Sequence, residues 1–169
     1  AVGFMHAYAN PAHELRVGEI LSEMASDVSV SLSSEVCPEI REFERFTTTS
    51  ANAYVRPLMS SYLGRLQERL TALGVTCPVL MMTSGGGLAA LETARRFPIR
   101  LVESGPAGGA ILATQIASEL ALDKVISFDM GGTTAKICMI ENQTAGKARE
   151  FEVDRQARFM KGSGLPLRI

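Results

Sequence analysis

The stretch "SFDMGGTTAKICMI", Ser127 to Ile140, constrains this chain more than any other. An apolar run ends in an aspartate, two glycines and two threonines follow, and a second apolar run returns with no helical pattern between them. That order predicts an antiparallel hairpin. An ordinary hairpin also uses a glycine turn, but it does not need an aspartate at the end of a strand that reads as buried, where an unpaired charge is costly. Bare N–H groups at Gly131 and Gly132 can form an anion-binding nest. Thr133 and Thr134 can donate to phosphate oxygens, and Asp129 can hold a cation directly or through water. The set suits a magnesium phosphate. A Walker loop is excluded, since Lys136 follows Ala135, precedes Ile137 and leads into a strand; Lys136 itself points to solvent or contacts phosphate.

Upstream of the hairpin, strand and helix patterns alternate. "PVLMMT" (78–83), a helix over about 88–96, "IRLVES" (99–104), a helix over about 106–122 and "KVISFD" (124–129) predict parallel strands with crossover helices. Earlier, Val2 to Tyr8 reads as a buried strand, and Asn10 as the cap of a helix whose first position is Pro11 and which runs to about Ala25. Val28, Val30 and Leu32 alternate as a strand, and Ser31 to Phe46 forms a polar, Pro-broken connection. A long helix from about Ser50 carries the stripe Tyr54, Leu58, Tyr62, Leu66 and Leu70, kinks at Pro57 and ends at Gly74.

Two further glycine turns compete as sites. In "TSGGGLAA", Gly85, Gly87 and Ala90 satisfy the dinucleotide fingerprint G-x-G-x-x-A between a strand and a helix. Glu103 stands roughly 18 residues on, near the ~20 expected of a ribose-binding acid. The competing reading is a structural tight turn. In "ESGPAGGAILATQIASELAL", Gly105, Gly109 and Ala113 fall four apart and give a smooth helical face, either packed closely on the sheet or serving as a hinge between lobes.

Composition narrows the function classes. A chain of 169 residues with no visible linker is one domain. It is 46% hydrophobic with no Trp and a net charge of −1, which leaves no field for nucleic acid or an anionic membrane and no base-stacking surface. Cys37, Cys77 and Cys138 are odd in number and far apart, against a disulfide framework or zinc site and for a reducing, cytoplasmic setting. No apolar run approaches a membrane span. The chain opens without Met in "AVGFMHAYA" and stops in "SGLPLRI", where Leu165, Leu167 and Ile169 alternate as a strand under way, so an internal piece of a longer protein is expected. His6 and His13 flank a turn and read as structural before metal-binding. Glu14, Ser33, Ser34 and Glu35 could line a substrate pocket or make capping and turn bonds. Cys138 reads as core, and Arg95 and Arg96 as a solvated helix end.

Taken together, the second and third glycine clusters resemble the actin, sugar-kinase and heat-shock chaperone superfamily of two-lobed ATPases. Within it, "NPAHE", "SLSSEVCPEIREFER", "TTTSANAYVRPL", "SGGGLAALETARRFPIRLVESGPAGG" and "FDMGGTTAKICMI" resemble the hydantoinase A/5-oxoprolinase family, of the ATP-dependent N-methylhydantoinase A type, over essentially the whole chain. The resemblance implies an α/β fold, part of an actin-like (ribonuclease H-like) ATPase lobe with a mixed sheet and crossover helices. It implies one incomplete domain, with an opening segment at 1–49, a long helix and first βαβ at 50–104, and a connecting helix and phosphate hairpin at 105–169. Asp129, Gly131, Gly132, Thr133 and Thr134 are then expected to contact ATP phosphates and Mg, with Asp129 the catalytic carboxylate, while Gly105, Pro106, Gly108 and Gly109 start the hinge helix. "SGGGLAA" becomes a structural turn. The implied reaction is ATP-driven opening of a cyclic amide (N-methylhydantoin, hydantoin or 5-oxoproline) together with a hydantoinase B-type subunit in a hetero-oligomer; acetone carboxylases form a related branch. The family's first phosphate loop and its adenosine-contacting glycine segment are missing here, so on its own the piece is expected to bind ATP weakly or not at all. The alternatives are an NAD-dependent oxidoreductase domain built on "SGGGLAA" and a non-catalytic actin-like assembly domain.

Overall fold

A buried glutamate organises the first third of the chain. The computed structural model describes residues 1–148, 151–153 and 164–169; the remainder of the expected 105–169 segment, Ser163 of "SGLPLRI" included, lies outside the described residues. Helix α1 (Ala12–Met24) starts where Asn10 Oδ1 accepts the Ala12 N–H at 3.1 Å, and it carries Glu14 inward. The fully buried Glu14 carboxylate accepts from Phe4 N (2.7 Å), Ser33 Oγ (2.6 Å) and Ser34 N (2.8 Å). Ser33 opens a single helical turn, α2 (Ser33–Val36), and its hydroxyl also accepts from Arg45 Nε at 3.2 Å. Arg45, itself fully buried, donates to the carbonyls of Glu39 (2.8 Å) and Phe4 (3.0 Å) and lies over the rings of Tyr8 and Phe46. A buried carboxylate and guanidinium are tolerable because nearly every donor and acceptor is met. The expected strand over Val2 to Tyr8 is replaced by a turn over residues 5–9 that feeds Phe4 into this network; only Val2 makes a bridge, parallel to Leu32. That bridge is also all that forms of the strand expected over Val28 to Leu32.

Helix α3 (Glu42–Ala72) begins eight residues before the sequence-based boundary and continues through Pro57. Its early start includes three threonines, residues poor in helix interiors. Each satisfies its hydroxyl on the carbonyl four residues back: Thr47 on Phe43, Thr48 on Glu44 and Thr49 on Arg45, all at 2.7 Å. The expected apolar stripe is not the buried face, since Tyr54, Leu58 and Tyr62 are exposed. Arg45, Thr48, Thr49, Asn52 and Leu63 are buried instead. Asn52 donates to Ser31 Oγ (3.0 Å) and Arg96 O (3.3 Å) and accepts from Ile99 N (3.3 Å). The helix ends as expected at Gly74: φ there is +83°, and Gly74 N and Val75 N close onto the carbonyls of Thr71 and Leu70.

The second half is mixed α/β, but its sheets are small and antiparallel rather than the parallel crossover arrangement the alternation predicts. Strands β1 (Leu80–Met82) and β2 (Leu88–Ala90) form a hairpin, followed by α4 (Leu91–Arg96). The strand expected at 99–104 is a 3₁₀ turn, Pro98–Leu101, seated on Asn52, after which α5 (Ser104–Glu119) starts. Strands β3 (Lys124–Met130) and β4 (Ala135–Glu141) form the expected hairpin, extended by β5 (Thr144–Ala145). Strand β6 (Phe151–Glu152) pairs with β7 (Pro166–Leu167). Two apolar clusters join the halves: Val36, Cys37, Ile99 and Leu167 in one, Leu63, Leu91 and Ala94 in the other.

Hairpin β3–β4 has two unlike faces. Val125, Ser127, Asp129, Lys136, Cys138 and Ile140 lie toward α5, whereas Ile126, Phe128, Met130, Ile137 and Met139 are 59–71% exposed on the other side. Asp129 is therefore an exposed carboxylate, not the buried one expected, and Cys138 is half-buried rather than core.

Burial alone pushes the Glu14 carboxyl upward, but the hydrogen bonds from Ser33 and from the backbone of Ser34 and Phe4 outweigh it and hold the pKa below the ordinary glutamate value. A carboxylate whose pKa is lower folded than unfolded stabilises the fold above its unfolded value, and that stabilisation is lost as pH falls through the folded one. We predict that Glu14→Gln loses about 2–3 kcal/mol at neutral pH and flattens the stability decline that the parent shows below about pH 4.3, measured by denaturant melts across acid pH.

Candidate functional site

The three glycine turns differ in why they contain glycine. In the β1–β2 turn, Gly86 has φ +83°, and a Cβ there would stand 2.9 Å from Ile111 Cδ1. Thr83 N donates to Gly87 O at 2.8 Å, Gly86 N to Thr83 O at 2.9 Å, and Ser84 N and Oγ both donate to Arg100 O. The turn joins two antiparallel strands, so the strand-to-helix geometry that a dinucleotide fingerprint requires is absent. Glu103, the expected ribose acid, is engaged elsewhere. This corrects the NAD reading of "SGGGLAA".

The β3–β4 turn is built differently. Gly131 N donates to Thr134 O at 2.9 Å, closing the turn around Gly132 and Thr133. Its N–H is therefore occupied; the bare donors at the tip are those of Gly132 and Thr133. Neither Gly131 nor Gly132 adopts a left-handed backbone. A Cβ on Gly132 would meet nothing within 4 Å, and one on Gly131 only Thr134 O at 3.9 Å. The fold of the described residues does not require glycine here, and its effect is to leave backbone donors unscreened. In the first turns of α5, Gly105 and Gly109 likewise meet nothing within 4 Å, while Gly108 lies by the Met82 side chain.

The strands leading to and from the hairpin turn and the start of α5 line one open cleft of about 1200 Å³, whose walls include Ser84, Gly85, Glu103, Pro106, Asp129 and Lys136, but not residues 131–134 of the turn itself or Gly105, Gly108 and Gly109. Strand pairing carries Asp129 and Lys136 to opposed positions on the face toward α5. Lys136 pairs with Glu103, which caps α5 from a left-handed backbone (φ 63°). Among the described residues Asp129 makes no side-chain hydrogen bond or ion pair. Thr133 is exposed and Thr134 half-buried in the turn that follows β3. A carboxylate free to take a cation thus stands beside unscreened N–H groups and two hydroxyls. Chemically, that arrangement can take up a cation-bound phosphate.

The other candidates lie elsewhere. Glu14 and Ser33 belong to the buried network and Ser34 adjoins it through its backbone N–H, and none of the three lines this cleft. Glu35 pairs with Arg96, which is therefore not a free solvated end. His6 and His13 are exposed, and the His6 ring stands edge-on to Tyr8. Among the described residues no group of three or more His, Cys, Asp or Glu is placed to hold a metal, and no helix is long and apolar enough to cross a membrane. Sequence reasoning missed Glu103 as the Lys136 partner; the available signal was a glutamate immediately before a glycine-rich helix start.

Comparison with known proteins gives a consistent result. The Hydantoinase/oxoprolinase family model matches residues 45–168. An uncharacterized protein of Methanocaldococcus jannaschii is 41% identical over 171 residues, spanning 99% of this chain and 25% of that protein. Caprolactamase subunit alpha of Pseudomonas jessenii is 35% identical, over 82% of this chain and 20% of its own length. For 5-oxoprolinase 1 of Arabidopsis thaliana the values are 36%, 86% and 12%. Among solved structures, nucleotide-free acetone carboxylase, an enzyme of ATP-dependent acetone carboxylation, superimposes with a TM-score of 0.70 at 24% identity, over 82% of this chain and 20% of that one. The chain spans a quarter or less of the length of each of these proteins.

The contrast between turns yields a stability prediction. Gly86→Ala is expected to cost about 1–2 kcal/mol, because alanine resists the left-handed region, whereas Gly132→Ala stays within about 0.5 kcal/mol of the parent. Chemical denaturation of the two variants side by side checks this.

Proposed function

This chain belongs to the hydantoinase/oxoprolinase family, and on that footing we propose that it supplies one side of a magnesium-ATP site in the ATP-dependent subunit of an enzyme that opens a cyclic amide. The observation that carries the reading is the β3–β4 turn, where glycines that the fold does not need stand beside a carboxylate without a partner. The actin-like ATPase lobe, with residues 1–169 as one partial domain, is part of the same proposal, supported by the likeness to acetone carboxylase.

The residues divide the work by chemistry. The N–H groups of Gly132 and Thr133 and the hydroxyls of Thr133 and Thr134 donate to phosphate oxygens, and Gly131 keeps the approach clear of side chains. Asp129 holds magnesium, directly or through water, and so acts as the catalytic carboxylate. Gly105, Gly108 and Gly109 give α5 a smooth start beside the cleft, as a hinge helix needs. Bound ATP would supply the phosphoryl group that, placed on the amide carbonyl oxygen, makes the carbonyl carbon a better electrophile for water. The names of relatives support a cyclic amide such as 5-oxoproline or a lactam. The designation of one of them as a subunit supports assembly with a second, hydantoinase B-type chain. A cytoplasmic setting fits three cysteines that are all free. The relatives named as enzymes argue for catalysis over a purely assembling role.

Calorimetric titration of the full-length protein tests the reading. Mg-ATP is expected to bind and NAD is not. Asp129→Asn should weaken Mg-ATP at least tenfold, about 1.4 kcal/mol. NAD binding that depends on Gly87, or Mg-ATP binding indifferent to Asp129→Asn, would falsify it.

A further inference from the structure

Asp129 and Lys136 are register partners on the face that meets α5. Directly opposed residues of an antiparallel pair start with Cβ atoms about 4.5–5.5 Å apart, so an aspartate and a lysine placed this way are expected to pair with each other. Here they do not. The Lys136 ammonium goes to Glu103 on the neighbouring helix cap, and Asp129 is left without an ionic or hydrogen-bonded partner. Glu103 reaches the lysine from a left-handed backbone, a conformation that a residue with a Cβ adopts at a cost. Nothing in the local strand pairing demands this choice of partner.

We infer that Glu103 is a positioning residue: by taking the Lys136 ammonium, it keeps the Asp129 carboxylate available to the divalent cation of a bound nucleotide. The inference rests on the phosphate-site reading of the hairpin. An ammonium paired with Asp129 competes for the same carboxylate oxygens, and its charge opposes an approaching dication. Neutralising Glu103 leaves the lysine in place and redirects it to its cross-strand neighbour. Neutralising Lys136 removes the competitor altogether. The first substitution therefore lowers metal affinity and the second does not. A glutamate that merely anchored the start of α5 would not produce this pattern.

The experiment is a Mn²⁺ titration of the full-length protein in the presence of ATP, followed by electron paramagnetic resonance, with circular dichroism on every variant. Glu103→Gln is expected to weaken Mn²⁺ binding about tenfold, the scale of one lost charge-assisted contact. Adding Lys136→Met to that variant should return affinity to within about twofold of the parent, as coupled neighbours allow. Lys136→Met alone should bind Mn²⁺ at least as tightly as the parent, which keeps the inference testable if Glu103→Gln does not fold. Unchanged affinity in Glu103→Gln, no recovery in the double variant, or a tenfold loss in Lys136→Met overturns the inference while leaving the phosphate site intact. If the parent shows no saturable Mn²⁺ binding, or if binding survives Asp129→Asn, the phosphate-site reading itself fails and the inference falls with it.

Discussion

The Glu14 carboxylate is the constraint on which the rest of the arrangement depends. Once α1 carries a charge into the interior, the chain must surround it with donors or lose several kcal/mol. It does so by turning residues 5–9, so that Phe4 N points inward, and by starting α2 at Ser33. The Ser33 hydroxyl donates to Glu14 and accepts from Arg45, so opposite charges are coupled through a neutral atom rather than in direct contact. That fixes the first turns of α3. Two helical turns beyond Arg45, Asn52 binds the backbone at both Arg96 and Ile99, which sets the 3₁₀ turn and the position from which Glu103 enters α5. The cleft wall formed by Glu103 and Pro106 is thus placed, through a succession of buried polar contacts, by a glutamate near the other end of the chain.

This chain of polar contacts explains what sequence reading could and could not find. The hairpin over 124–141, α5, strand β1, the start of α1 and the glycine stop of α3 were legible, because each rests on local chemistry: alternation, a cap, a left-handed glycine. The buried face of α3 was not. Arg45, Thr48, Thr49 and Asn52 recur at i, i+3, i+4 and i+7, the spacing of an apolar stripe, but they are polar, and a search for hydrophobic periodicity passes over them. The segment "IRLVES" reads as a strand from its β-branched and aliphatic content. Tertiary context overrides that propensity, because Pro98 suits the first position of a tight helical turn and Ile99 N is claimed by Asn52. "SGGG" followed by "LAA" reads as turn and helix, and only pairing with β1 makes it a second strand.

For the site, the sequence named the residues but not the reasons for them. Glycine letters look alike, yet Gly74 and Gly86 are there for backbone conformation, whereas Gly131, Gly132, Gly105 and Gly109 occupy positions where a side chain would fit. Only the folded structure makes that separation. It changes the weight of each cluster, since a glycine explained by its own φ says nothing about ligands, and one unexplained by φ or packing leaves the backbone bare for another cause. That distinction alone does not remove "SGGGLAA", where Gly85 also meets nothing within 4 Å; there the antiparallel pairing of β1 with β2 replaces the strand-to-helix turn and leaves the β3–β4 turn.

The hairpin's inner face shows how a turn can be both held and open. At the end far from the turn, Val125 and Ile140 oppose each other, and Ile140 is almost fully buried, so apolar packing anchors the strands against α5. Toward the turn the opposed pairs become Ser127 with Cys138 and then Asp129 with Lys136, and burial gives way to exposure. Apolar contact cannot align that end, because its residues are polar and solvated; the Lys136–Glu103 ion pair is the link from the turn end of the hairpin to the helix cap. A partly exposed pair contributes little to stability, but it sets direction. The result is a packed stem, an accessible tip and one aspartate kept out of the pairing, an arrangement that places unscreened donors near a free carboxylate without committing the core of the protein to either.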